Sequence, residues 1–511
     1  MPVCPKPYFR PGPFLWVLLF LSTGIGLTEY FRSPVVALGA LTTGFFLYIL
    51  SLFFRPAVEK RTVAALRFAP IGLLLVAAGA FSTQLTRERL TASSRYKLSS
   101  SDSFRVIGNP EPREGKLRMQ VQLTGGSSPS YILYIRHEGE YEPVARGDML
   151  KLRNFYARSA EEWEQKAPAM GRYMAGKGLS GSLHAKTGDV EILPTAKGPF
   201  SLRQKALDLS DRLAATLYEL SPSLLSDSQR AMLEAMCLGR EGEAPDVRRK
   251  FVAAGVAHIL AVSGFHVGIV LAALGFLMRI LPIPQRWRRA EWLLPLAGGW
   301  IYAFVCGLGA PVVRAMLMAT LYIVGKCSGR PTDGLNICAA AACITLVVDP
   351  LSFYDVGFVL SYAAVASNLI FFRPLASLLP DVRKPLLRLC RDAMALCLAA
   401  QAFTLPLAAH YFGHVGIIFL WVNLPLTLLV VFLIPLSLIY MVLAAVGLPL
   451  MLLSRVVGIC ADGVERLVTA AAAVSPSMEY AWQPSMSVVL CIMAVLLAVG
   501  ILWRANRRRY E

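Results

Sequence analysis

Apolar runs long enough to enter hydrocarbon recur along the chain. Three come early, at 14–27, 35–54 and 68–85. A polar stretch follows, from about residue 86 to residue 250. A second block then carries candidate spans at 257–279, 291–309, 311–326, 335–348, 353–372, 393–410, 416–440, 441–460 and 486–503. A spanning helix needs about 20 mostly apolar residues, so the pattern predicts a polytopic α-helical membrane protein. Pro425, Pro435 and Pro449 interrupt the region 416–475, which leaves the number of spans there open. Broken helices at membrane depth require protein or a wet cavity to satisfy the freed backbone.

In the polar stretch the period shortens to two. Runs at 104–107, 117–123, 131–135, 149–152, 181–184 and 190–193 alternate as strands do. Turn sequences around Gly108, Gly125, Gly147 and Gly188 separate them. Five or six short strands predict a small inserted β-barrel of OB-like type. From Ser201 to Met236 the period becomes helical, with Leu202, Ala206, Leu209, Leu213 and Leu217 on one stripe. That stripe predicts an amphipathic helix lying on the membrane or the bundle. The predicted organisation is a three-span anchor (1–85), a β domain (86–200), a helical connector (201–250), a membrane block (251–503) and a basic tail (504–511).

Composition supports this division. The 511 residues are 55% hydrophobic with mean hydropathy +0.53. The net charge of +18 would suggest a nucleic-acid partner in a soluble protein. In a membrane protein it belongs largely to cytoplasmic loops. Arg55, Lys60, Arg61 and Arg67 form one such group; Arg286, Arg288 and Arg289 a second; Arg373, Arg383, Lys384, Arg388 and Arg391 a third; Arg504 and Arg507 to Arg509 the last. If the spans alternate, all fall on one side, read as cytoplasmic with the C-terminus. Residues 86–250 are then extracytoplasmic. Lys6 and Arg10 before the first run resemble a signal peptide, but a second run follows so closely that a retained anchor is predicted. The ten cysteines form no Cys-x-x-Cys pair and read as small buried hydrophobes. The phosphate-binding Gly-x4-Gly-Lys-[Ser/Thr] motif does not occur.

Polar side chains inside apolar runs are the candidates for function, because they are costly in hydrocarbon and face a bundle interior or a wet cavity. The richest stretch is His258-Ile-Leu-Ala-Val-Ser263-Gly264-Phe-His266-Val-Gly268. Gly264 and Gly268 have the spacing that lets helix backbones approach closely. The two histidines are eight apart, about 80° around a straight helix, and lack the spacing of a helical zinc pair. Ser263 lies three before His266, but no acid is placed to orient a Ser–His nucleophile. The favoured reading is a break or tight packing at Ser263-Gly264 that opens backbone groups to a conduction path; a satisfied interhelical hydrogen bond is the alternative. Arg314 sits within the run 311–322, where it would form a structural ion pair, snorkel, or contact phosphate at a mouth. His410 and His414 have i, i+4 spacing, but Gly413 between them predicts a helix end. In the β domain, Arg105, Arg118, Arg136, Lys151 and Arg153 accompany Tyr131, Tyr134, Phe155 and Tyr156. Basic grooves with aromatic platforms bind single strands; a solvated surface over core aromatics is the alternative.

The stretch 257–268 resembles the signature of the ComEC competence family, whose members are channels for DNA uptake. Weaker likenesses are spread along the chain: Glu234-Ala-Met-Cys-Leu-Gly-Arg240, Gly307 to Met318 around Arg314, Asp349-Pro-Leu-Ser-Phe-Tyr-Asp355 onward to Ser361, and Met170 to Leu179 at the end of the β domain. Gln401, Pro406, Asn423 and Pro425 fall where a later polar pattern is expected. The resemblance covers most of residues 1–503. It implies an inner-membrane channel for single-stranded DNA, with His258, Ser263, Gly264, His266, Gly268, Arg314, Asp349, Asp355, Gln401 and Asn423 along the path. Long members continue into a metallo-β-lactamase-like domain. No His-x-His-x-Asp-His run occurs here, so a short form without nuclease, enzymatic activity, metal or cofactor is expected. A DNA receptor, a motor and a nuclease would be separate partners, beside membrane lipids. The rival expectation is a membrane enzyme or exporter handling a lipid-linked or sugar substrate through His258, His266 and Asp355.

Overall fold

The computed structural model describes residues 13–31, 39–40, 42–43, 60–94, 98–108, 110–113, 116–124, 129–136, 144–193, 202–220, 225–240, 245–280, 290–330, 332–380, 384–416, 418–448, 450–474 and 479–507. They divide into two compact units, one within 11–198 and 335–359, the other within 199–334 and 360–511. The expected span at 35–54 lies almost wholly outside the described residues.

The first unit opens with two helices, α1 (Pro13–Phe31) and α2 (Lys60–Ser94). They pack closely because two glycines permit it. A Cβ on Gly24 would collide with the Val76 carbonyl, and one on Gly79 with the Leu21 carbonyl. The β strands follow: β1 (Ser103–Val106), β2 (Glu111–Arg113), β3 (Lys116–Leu123), β4 (Ser130–Arg136), β5 (Met149–Leu152), β6 (Tyr156–Ser159), β7 (Leu179–Lys186) and β8 (Val190–Leu193). In β3 each second residue is buried, placing Leu117, Met119, Val121 and Leu123 in one core with Phe104, Tyr131, Leu133 and Leu150. The sheet runs β6-β7-β4-β3-β1-β5-β8, with β2 attached to β3. Among the described residues β6 and β8 remain its edges, so the expected barrel is not closed. The neighbours β4 and β7 are parallel, which two-residue hairpins cannot produce. The connection between them carries α3 (Ala160–Lys166) and α4 (Pro168–Gly176). Helix α12 (Gly334–Val348) and a 3₁₀ turn at Pro350–Tyr354 complete the unit, and Asn336 Oδ1 accepts from the Phe14 amide at 3.0 Å.

The second unit is helical. It begins with α5 (Leu202–Leu220), α6 (Asp227–Leu238), α7 (Pro245–Ala253), α8 (Ala257–Leu260) and α9 (Gly264–Ile280). It continues through α10 (Ala290–Val305), α11 (Ala310–Cys327), α13 (Val356–Leu378), α14 (Pro385–Phe412), α15 (Phe419–Ala445), α16 (Met451–Val474) and α17 (Met486–Arg507). Four described helices are long and apolar enough to cross a membrane: 310–327, 356–378, 387–412 and 421–445. Shorter apolar helices lie at 13–28, 264–280, 334–348 and 486–500.

Two expectations need correcting. The stretch 201–236 is two helices, not one, because Ser226 and Gln229 form a capping box that starts α6. On α5 the buried positions are Ala206, Ser210, Ala214 and Leu217, while Leu209 is exposed. The region after 416 also divides elsewhere. Helix α15 continues through Pro425 and Pro435, and the chain turns at Gly447, whose φ of 77° suits glycine. Neighbouring helices tolerate a proline in an apolar span by satisfying the freed carbonyl.

Candidate functional site

Strand register builds a surface on the first unit. The outward residues of β3 are Lys116, Arg118, Gln120 and Gln122. Arg118 lies opposite Tyr134, Tyr134 opposite His184, and His184 opposite Tyr156, making one row across β3, β4, β7 and β6. Two residues along, on the same face, Lys116, Arg136 and Lys186 make a second row, and all three are exposed. Tyr134 and His184 stack with centroids 5.0 Å apart and planes 10° apart; Tyr156 lies 6.4 Å from the same imidazole. Arg118 donates to the Tyr173 hydroxyl at 3.2 Å. The Arg158 guanidinium sits 4.4 Å over Trp163 and 5.6 Å from Tyr156. Flat aromatic faces beside fixed cations offer stacking and charge without selecting a base.

Trp163 Nε1 donates to Ser182 Oγ at 2.9 Å, and Ser182 Oγ lies 3.3 Å from His184 Nε2. The hydroxyl hydrogen is then free to donate to Nε2, which favours a neutral ring protonated at Nδ1. Burial, then Lys116, then Arg158, lowers the His184 pKa below its usual 6.5. The unfolded chain therefore takes up a proton that the fold resists. Stability from His184 is complete above about pH 6.5 and is lost as pH falls through the lowered value. Thermal unfolding of the first unit followed between about pH 5 and about pH 7.5 should show this slope, and His184→Gln should flatten it.

The expected basic–aromatic patch is thus redistributed. Arg118, Tyr134 and Arg136 come together. Tyr131 does not join them: it is buried, with its ring edge-on to Phe104 at 6.3 Å. Arg105 and Lys151 stand on the neighbouring strands β1 and β5, opposite Gln122 and Glu191 respectively. Arg153 pairs with Glu191 at 3.3 Å. Sequence reasoning passed over Lys116, Arg158, Trp163, His184 and Lys186. Strand alternation puts His184 and Lys186 on one face, but only the parallel β4–β7 pairing sets them beside Tyr134 and Arg136.

In the second unit the chain does break where the polar signature suggested. Helix α8 ends at Leu260 and α9 begins at Gly264. His266 Nδ1 accepts from the Ser263 amide at 3.3 Å and lies 2.9 Å from Ser263 Oγ. The serine is the N-cap and the histidine returns a bond from N3, the arrangement a capping box uses. An Nδ1 that accepts puts the proton on Nε2. The hydrogen bond of Ser263 is therefore a local cap, not an interhelical bond. His258 is exposed and interacts with the Asn423 side chain, which donates to Cys397 Sγ at 2.9 Å. Gln401, one turn beyond Cys397 on α14, accepts from Thr404 at 3.2 Å. A Cβ on Gly264 would lie 3.4 Å from Ala315 Cβ, whereas one on Gly268 would meet nothing within 4 Å. The close approach expected of this glycine pair thus holds at Gly264 alone. Arg314, beside Ala315 on α11, is buried.

Asp349 and Asp355 belong to the first unit. Asp349 accepts from Ser352 Oγ at 2.6 Å, at the start of the 3₁₀ turn. Asp355 pairs with Lys177 at 3.4 Å, joining the 170–179 segment to the 349–361 segment. Among the described residues no group of three His, Cys, Asp or Glu side chains gathers to hold a metal.

The sequence pattern of the Competence protein family matches residues 236–507, more than half of the chain. This is a membrane protein of that family, to which the chain belongs. It is 28% identical over 244 residues to ComE operon protein 3 of Bacillus subtilis, covering 47% of this chain and 29% of that protein. It is 27% identical over 276 residues to Competence protein ComA of Neisseria gonorrhoeae, covering 52% and 37%. Against Recombination protein 2 of Haemophilus influenzae it is 25% identical over 185 residues, covering 35% and 23%. The matched regions thus span well under half the length of these relatives. No solved structure matches.

Proposed function

We propose that this protein conducts single-stranded DNA across the inner membrane during natural transformation. The single observation that carries this reading is the surface on the first unit, where Tyr134 and His184 stack beside the basic row Lys116, Arg136 and Lys186. The strand order supports an OB-type reading of that unit. Strands β5 and β6 are nearly consecutive, and each end of the sheet pairs them with β7 or β8. In this reading residues 1–85 anchor the chain and 86–200 receive DNA outside the membrane. Residues 201–250 connect to a channel block at 251–503, and the tail 504–511 is cytoplasmic. The broken helix at Ser263, with His258, Asn423 and Gln401, lines the path, and Arg314 acts at its mouth. A separate receptor, motor and nuclease complete the process.

The test uses the full chain in lipid nanodiscs and a fluorescent oligodeoxynucleotide. Tyr134→Ala should weaken binding by about 1–3 kcal/mol, or roughly 5- to 150-fold. In a transformable host the same change should lower transformation while DNA still reaches the cell surface. Unchanged binding and unchanged transformation would reject the reading. An altered envelope lipid profile with normal transformation would instead favour an enzyme or exporter of lipid-linked or sugar substrates.

A further inference from the structure

Beside the stacked row lies a cleft of about 490 Å³. Pockets for small ligands start near 300 Å³, so a single nucleotide fits this volume. Strand β6 separates the two features: Tyr156 stands in the row, and Ala157 lines the cleft. Arg158 reaches both. We infer that the cleft is a nucleotide subsite, which takes one nucleotide turned out of the stacked strand. This rests on the proposed single-strand reading and names where one unit of the strand is held.

The walls of the cleft offer two kinds of contact. Arg153 and Arg158 supply two guanidiniums, groups that fork onto phosphate oxygens. Arg158 is oriented in advance by its stack on Trp163. The Arg153 side chain pairs with Glu191 at an exposed site, where an ion pair is weak and readily exchanged. Phe155 supplies an aromatic wall. It and Tyr131 both meet Phe104 edge-on, at 6.4 and 6.3 Å, so the floor rests on the buried core of the sheet. Glu162 stands in the same lining and would repel phosphate. It is left to accept from an exocyclic amino group, as carboxylates do from cytosine N4. Phosphate thus goes to the arginines and the base to Phe155 and Glu162.

Deoxycytidine monophosphate is the probe, titrated into the full chain in nanodiscs by calorimetry. An oligonucleotide of about 12 residues is titrated in parallel. Ala157 is exposed, so Ala157→Trp fills the cleft without altering the core, and Ala157→Glu places an anion there instead. Each variant should retain the wild-type unfolding temperature and weaken the mononucleotide at least about 10-fold. Oligonucleotide affinity should fall less, by roughly 3- to 10-fold. Mononucleotide binding unaltered in both variants would overturn the subsite. So would inorganic phosphate competing as well as the nucleotide, because the base would then contribute nothing. Failure of the wild type to bind the oligonucleotide would instead defeat the single-strand reading itself.

Discussion

Replacing Lys116, Arg136 and Lys186 together by glutamine is expected to lower single-strand affinity about 100-fold near 0.1 M salt. Each phosphate neutralised on a single strand contributes about 0.7 to the slope of log K against log salt. Three lost contacts should reduce that slope by about 2, and extrapolation to 0.1 M gives the affinity change. All three side chains are exposed and in register across β3, β4 and β7, so the fold should tolerate the change. Losing Lys116 also removes one of the cations that oppose protonation of His184. The measurement is anisotropy of a labelled oligonucleotide over a salt series with the full chain in nanodiscs. An unchanged slope would mean that DNA contacts other residues.

The second large effect concerns stability. Glu234 is fully buried on α6, and its carboxylate meets Arg240 at 3.1 Å across the left-handed turn at Gly239. Arg240 also reaches Asp211 on α5 at 3.6 Å. Removing one partner of a buried pair strands the other charge, at a cost of about 3–5 kcal/mol. Glu234→Ala should therefore reduce the folded population sharply, visible as a large drop in unfolding temperature and in membrane yield. Glu234→Met combined with Arg240→Leu should recover much of the loss, because no buried charge is left uncompensated and Asp211, which also loses Arg240, is partly exposed to water. A double variant as unstable as the single one would show that the pair matters through shape alone.

Particular residues show where sequence reading reached and where it stopped. The alternation Leu117, Met119, Val121, Leu123 predicted a strand and its buried face, and both are present. The long apolar runs marked helices, because hydropathy over a helical length needs no knowledge of neighbours. Pro425 and Pro435 misled, since the cost of an interior proline depends on what the adjacent helices offer. Tyr131 and Tyr134 look alike in sequence, three residues apart. Alternation puts them on opposite faces, but only the packing of β4 against the rest of the unit decides that Tyr131 faces the core and Tyr134 the row. Ser263 and His266 were legible as a polar break. Their capping bond is local enough to read from spacing, but Asn423 beside His258 is not.

The sequence by itself determined the membrane helices, the strand-rich insert, the break in the signature helix and the resemblance to competence proteins. These depend on composition and on intervals of two to four residues, which local geometry converts directly into structure. The tertiary structure decided which side chains share a face: His184 against Tyr134, Lys177 against Asp355, Glu234 against Arg240. Most such contacts close loops of many residues, and the parallel pairing of β4 with β7 in particular is set by packing of the whole unit, not by any local signal.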